Sequence, residues 1–98
     1  MEIVYFTRKN NDKNLEIGSA NAITVLNVSH YSFSSKDLSF IKIPGAELAG
    51  GEFVETDFSN AVLTGVNLRS TILSKSKFIN TKMENVELGI LPSIKFKD

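Results

Sequence analysis

The chain contains no cysteine, so neither a disulfide framework nor a thiolate metal site is open to it. It has no excess of either charge: 11 basic and 11 acidic side chains give a formal net charge of zero. The basic footprint of a nucleic-acid binder is therefore missing, and so is a strongly acidic surface. His30 is the only histidine. No apolar run approaches the length that spans a bilayer, and residues 1–6, with Glu2 among them, are too short and too acidic for a secretory signal. A soluble cytoplasmic chain is the expectation. Its 98 residues make one domain, and a domain of this size buries only about two thirds of its unfolded surface. That favours an economical, repeating core.

What the chain does have is a large apolar residue at every fifth position from Tyr31 to Ile90. Phe33, Leu38, Ile43, Leu48, Phe53, Phe58, Leu63, Leu68, Leu73, Phe78, Met83 and Leu88 form this series. Two residues before each lies a second, mostly small one: Tyr31, Lys36, Ile41, Ala46, Gly51, Thr56, Ala61, Val66, Thr71, Ser76, Thr81 and Val86. Neither a helix of period 3.6 nor a strand of period 2 keeps a beat of five on one face, so the chain must close a repeating coil.

Turn chemistry falls in the same register. Pro44-Gly45 follows Ile43, and proline then glycine suits the two central positions of a type II turn. Gly50 and Gly65 occupy the equivalent second position, where a positive φ is required, and Asn60, Asn80 and Asn85 tolerate it. Four such units per circuit would stack residues twenty apart at about 4.8 Å. Phe33, Phe53 and Leu73 then form one interior column, and Leu38, Phe58 and Phe78 the next. Ile43, Leu63 and Met83 make the third, with Leu48, Leu68 and Leu88 the fourth. Large and small neighbours compensate, as close packing demands: Phe53, Phe58 and Phe78 follow Gly51, Thr56 and Ser76. Lys36 departs from the small series, so the first circuit is expected to be irregular there.

This pattern, as in Ala46-Glu47-Leu48-Ala49-Gly50 and Ala61-Val62-Leu63-Thr64-Gly65, resembles the pentapeptide-repeat family. The resemblance implies an all-β repeat fold, a right-handed quadrilateral β-helix of about three coils, and no catalytic motif. Residues 31–90 would form it. Residues 1–30 would supply an amino-terminal segment and an α-helical cap, and residues 91–98 a capping segment or linker.

In the amino-terminal part, Ile3 to Phe6 could be a short strand or a helical turn, and the polar run through Asn10, Asn11 and Asp12 reads as a loop. Leu15, Gly18, Ser19, Ala22, Ile23 and Leu26 share one helical face. Gly18 inside a helix costs roughly 1 kcal/mol against alanine, so the helix either includes it or begins at Ser19, a good N-cap residue. It should cover about residues 20–28 and close the open end of the coil, where apolar surface and unpaired backbone need a lid. Phe40 lies at an outward corner of the first circuit, and this amino-terminal region is expected to shield it.

At the other end the register stops at Gly89, and Ile90, Leu91, Pro92, Ile94 and Phe96 suit a segment crossing the tube. The runs Ala20 to Asn27 and Leu88 to Pro92, with the repeats between them, look like a module of large multidomain proteins. There a pentapeptide block precedes a carboxy-terminal WD-repeat propeller, which implies that the chain is a fragment of a larger protein.

No constellation of catalytic residues emerges. His30, at the junction of helix and coil, reads as a capping or surface residue, since one histidine without a placed nucleophile or carboxylate makes no triad. Glu47, Glu52, Glu55 and Asp57 read as a solvated face, as no calcium-binding loop surrounds them. Arg69, Lys75, Lys77 and Lys82 balance them, with Lys77 one circuit from Asp57 and Asp37 one beyond. No catalytic, cofactor-binding or metal-binding residue is assigned, and no cofactor is expected.

The outward apolar residues Val54, Ile72 and Ile79 mark a candidate partner surface. Non-enzymatic structural or protein–protein interaction work is the expected role, as a rigid spacer between neighbouring domains. Its expected partners are another protein or those domains, with neither nucleic acid nor membrane, and end-to-end self-association is open to a bare coil end. The alternative is a DNA-mimicking modulator of a type II topoisomerase, gyrase, which needs a longer and more negative rod. Phe58→Ala should cost about 3 to 5 kcal/mol through the cavity it leaves, and leucine at Gly51 should overpack the tube. Chemical denaturation measures both, and an unchanged Phe58→Ala midpoint would remove Phe58 from the interior.

Overall fold

The computed structural model describes residues 1–89. The expected carboxy-terminal capping segment or linker, 91–98, and Ile90 lie outside the described residues.

Among the described residues the regular elements are two α-helices, α1 (Glu2–Phe6) and α2 (Lys13–Val28). Helix α2 starts well before residue 20 because Asp12 caps it: the Asp12 Oδ1 accepts the Asn14 N–H at 2.9 Å, satisfying one of the orphan donors of the first turn. Gly18 sits inside the helix for a packing reason. A Cβ there would come within 3.2 Å of Ile3 Cδ1 on α1, so glycine lets the two helices approach. Val4, Ser19, Ala20 and Ile23 form the buried faces of the pair. The Ser19 hydroxyl has no hydrogen-bond partner among the described residues, so small volume is what this residue contributes.

After α2 the chain turns eleven times at five-residue intervals, the corners running from Ser34-Ser35 to Glu84-Asn85. Seven parallel bridges join residues twenty apart: Asp37 to Asp57, Lys42 to Val62, Glu47 to Asn67, Glu52 to Ile72, Asp57 to Lys77, Val62 to Lys82 and Asn67 to Glu87. Each bridge is a single pair. Among the described residues there is no β-strand and no sheet, which overturns the all-β, quadrilateral β-helix expectation. The physical reason lies in the repeat length. A pentapeptide spends two residues on a corner, and the chain changes direction before a second consecutive pair can extend the bridge into a ladder. The fold is a helical pair followed by a coil of turns and single bridges.

Backbone hydrogen bonds run in both directions between successive circuits. The Phe33 N–H donates to Glu52 O at 3.0 Å and Phe53 N–H to Ile72 O at 2.9 Å, while Asp57 N–H donates back to Lys36 O at 3.1 Å. Lys36 is thus part of the regular pattern, contrary to the expected irregularity; its ammonium lies 5.6 Å from the centre of the Tyr31 ring. Every fifth residue from Ser35 to Asn85 has a φ between 55° and 75°. Glycine at 45 and 65 adopts it without penalty. Phe40, at φ 63°, does so against the preference of a bulky side chain.

The interior is filled. Phe33, Leu38, Ile43, Leu48, Phe53, Phe58, Leu63 and Leu68 are fully buried, and Leu73, Phe78, Met83 and Leu88 in the last described circuit are partly buried against them. Phe33 and Phe53 stack with centroids 5.0 Å apart, and Phe58 and Phe78 do so at 5.3 Å. Hydroxyls in the small series tie the circuits together internally: Thr56 Oγ1 donates to Phe33 O at 2.8 Å, Thr81 Oγ1 to Phe58 O at 2.8 Å, and Ser76 Oγ to Phe53 O. A Cβ on Gly51 would meet Phe53 Cε2 at 2.5 Å and Asn27 Oδ1 at 2.7 Å, so this position has no room for a side chain.

The first circuit has no circuit above it to accept its outward N–H groups, and the amino-terminal segment takes that place. In the second circuit Val62 N–H donates to Ile41 O and Asn67 N–H to Ala46 O. One level up, Lys42 N–H donates instead to Thr7 Oγ1 at 2.8 Å and Glu47 N–H to Thr24 Oγ1 at 2.9 Å. Asn27 Nδ2 donates to Ala49 O at 3.0 Å. Phe40 is not shielded by this arrangement and is 54% exposed, because residues 7 and 8 grip the backbone on either side of it rather than its ring. Thr24→Val keeps the shape and removes the acceptor for Glu47 N–H, so it should lower stability by about 1 to 2 kcal/mol in urea titrations, while Thr64→Val, on the outer surface, should have little effect.

Candidate interaction surface

The charged side chains considered above lie on the outside of the coil, none of them buried, whereas the hydroxyls of Thr56 and Ser76 are buried inside it. Asp37, Asp57 and Asn67 each turn back to hold the N–H two residues on: Ser39 N–H to Asp37 Oδ1 at 3.0 Å, Ser59 N–H to Asp57 Oδ1 at 2.9 Å and Arg69 N–H to Asn67 Oδ1 at 3.0 Å. These are local turn-forming bonds, the chemistry that favours Asx residues at corners. Glu47 Oε2 accepts from Asn67 Nδ2 one circuit below, at 2.9 Å, and Glu52 and Glu55 are exposed. Among the described residues no three histidines or carboxylates converge as metal ligands would.

His30 is exposed, with φ 63°, and borders a shallow depression of about 90 Å³ with Asn27, Tyr31, Gly50, Gly51 and Glu52. That volume holds a few water molecules, well short of the several hundred cubic ångströms of a small-molecule site. One imidazole and one carboxylate at its edge do not make a catalytic group of three.

Two ion pairs among the described residues use different partners from those the charge columns suggested. Asp37 faces Arg8 at 3.5 Å, and Glu87 faces Arg69 at 2.7 Å. Lys77 does bridge to Asp57, and Asp57 to Asp37, so one column carries two acids above one base. Arg8 also donates from Nε to Ser39 O at 2.8 Å and from Nη2 to Asp37 O at 2.5 Å, and its guanidinium lies 4.6 Å from the centre of the Tyr5 ring. Lys42 Nζ donates to Thr7 O at 2.5 Å and Asn10 O at 3.1 Å. These contacts fasten α1 and its following loop to the first circuit. The Ser39 hydroxyl and then the Ser39 N–H hold the Asp37 carboxyl below the ordinary carboxylate range, with a smaller contribution from Arg8 and a partial offset from burial.

Of the residues proposed for partner contact, Ile72 and Ile79 are 50% and 54% exposed, and Val54 is half-buried. The bridge between Glu52 and Ile72 sets Ile72 one circuit below the start of the unit that carries Val54. Sequence reasoning missed a second apolar surface. Phe6, Ile17, Val25 and Val28 on the helices are more exposed than any of these three. The signal was present in the 3.6-residue spacing of α2, but a helix begun near residue 20 leaves Ile17 out of it.

Among the described residues no helix is long and apolar enough to cross a membrane. Because the folded-state affinity of Asp37 for a proton is lowered, its contribution to stability is complete above the unfolded-state value, near pH 4, and is lost as pH falls toward the lower folded value. Asp37→Asn should therefore lower the melting temperature modestly at pH 6, and by progressively less as pH falls below about 4; thermal melts across that range check it.

No curated protein and no solved structure shows a significant match to the chain. Residues 52–88, the second circuit and most of the third, match the family described as Pentapeptide repeats in eight copies.

Proposed function

We propose that this protein is a non-enzymatic structural or protein–protein interaction module, acting as a rigid spacer between neighbouring domains, a following propeller among them. The observation that carries this reading is the use to which the interior is put. The large apolar side chains of the five-residue series in the first two circuits are fully buried against one another, leaving outward faces of mostly polar and charged side chains broken by Phe40, Ile72 and Ile79. Pentapeptide repeats serve commonly as structural or interaction modules, and the match over residues 52–88 agrees with that use. Duplex mimicry has no uniform acidic surface to support it: the outward column Asp37, Asp57 and Lys77 mixes signs, and the column Lys42, Val62 and Lys82 carries only positive charge.

A spacer must hold its ends at one separation. The absence of cysteine allows Lys13→Cys and Glu84→Cys to be labelled cleanly with a dye pair. A single narrow distance distribution, unchanged between about 10 and 40 °C, well below the melting range typical of domains, is expected. A broad or temperature-dependent distribution would rule out a rigid spacer.

A further inference from the structure

The outward stripe of α2 is unlike the rest of the surface. At 100° per residue, Ile17, Val28, Asn21 and Val25 fall within about 80° of arc on the side opposite Ser19 and Ile23. Ile17, Val25 and Val28 are 59%, 64% and 70% exposed, and Asn21 between them is exposed as well. Three β-branched aliphatic residues on one helix face are costly to leave in water. Their spacing carries a symmetry. Ile17 and Val25 lie four residues to either side of Asn21, so a two-fold axis through Asn21 brings Ile17 of each chain onto Val25 of the other.

We propose that this stripe is the contact face of a homodimer, in which α2 packs antiparallel against α2 of a second copy of this chain. Such an interface is isologous: one patch meets itself. Asn21 meets Asn21 at its centre, where a paired polar residue fixes register. The same arrangement sets Lys13 beside the last turn of the opposite helix. That turn has no basic residue of its own, and a cation there complements the exposed carbonyls and the negative end of the helix dipole. Sixteen residues make about 24 Å of helix, and pairing two such faces buries on the order of 1,000 Å², the lower end for a specific contact. The dimer is therefore weak and concentration-dependent. This inference is independent of the spacer reading, since it concerns the helices and not the coil.

Sedimentation equilibrium on the whole chain at about 10 and 500 µM, a range that spans association by an interface of this size, should show the apparent mass rising toward twice that of one chain. Ile17→Lys and Val25→Glu, both at exposed positions, should each hold the protein monomeric at the higher concentration with an unchanged circular-dichroism spectrum. Asn21→Cys introduces the only thiol and should cross-link spontaneously into a disulfide dimer, whereas Lys82→Cys on the coil should not. A monomer at every concentration, a dimer that survives both stripe variants, or equal cross-linking through residue 82 would each overturn the proposal.

Discussion

The return of the backbone after twenty residues is the constraint on which the coil depends. A pentapeptide satisfies little of its own hydrogen bonding: within a unit the closing bond is of the kind made by Lys36 N–H to Phe33 O. The remaining N–H and C=O groups find partners only in the circuits above and below, through bonds such as Phe53 N–H to Ile72 O. Buried backbone groups left unpaired are costly, so each circuit fixes the height and rotation of the next. The interior columns follow from that. Phe33 lies over Phe53 and Phe58 over Phe78 because the backbone has already set their separation close to a stacking distance.

A coil held together this way is unsatisfied wherever it stops. At the upper end the solution is made of side chains. The hydroxyls of Thr7 and Thr24 accept from Lys42 and Glu47 N–H, standing where the carbonyls of a further circuit would be. Arg8 and Lys42 add charge-assisted bonds to backbone oxygens, which are stronger than neutral ones. The helical pair thus seals the coil with one face and turns the other outward, and that outward face carries Ile17, Val25 and Val28. The lid and the proposed contact surface are two sides of the same helix.

Much of the repeat was legible because its period is a one-dimensional property. The residues that are fully buried in the first two circuits are the ones the beat of five selects, and positive φ recurs at the positions where Gly45, Gly50, Gly65, Asn60, Asn80 and Asn85 stand. Other features were not legible. Phe40 was read as shielded because it is an apolar residue at an outward corner, where a polar one is expected, but it stays exposed, and the neighbouring contacts are made to backbone. Gly18 weighed against an early helix start, yet the Asp12 cap and the approach of Ile3 outweigh the conformational cost of one glycine. Arg8 was a polar loop residue until the fold brought Asp37 and Ser39 beside it. As for the candidate surface, Ile72 and Ile79 follow from counting in fives, whereas the α2 stripe requires the true start of the helix.

By itself the amino-acid sequence determined the period, the corners and the lack of any thiol, since each is a matter of residue type at a fixed spacing. Only the tertiary structure decided that the circuits meet through single bridges rather than strands, because bridge length depends on how soon the chain turns after each pair. It also decided which hydroxyls close the upper end, and which helix residues are left facing water, because those depend on distances between segments far apart in the chain.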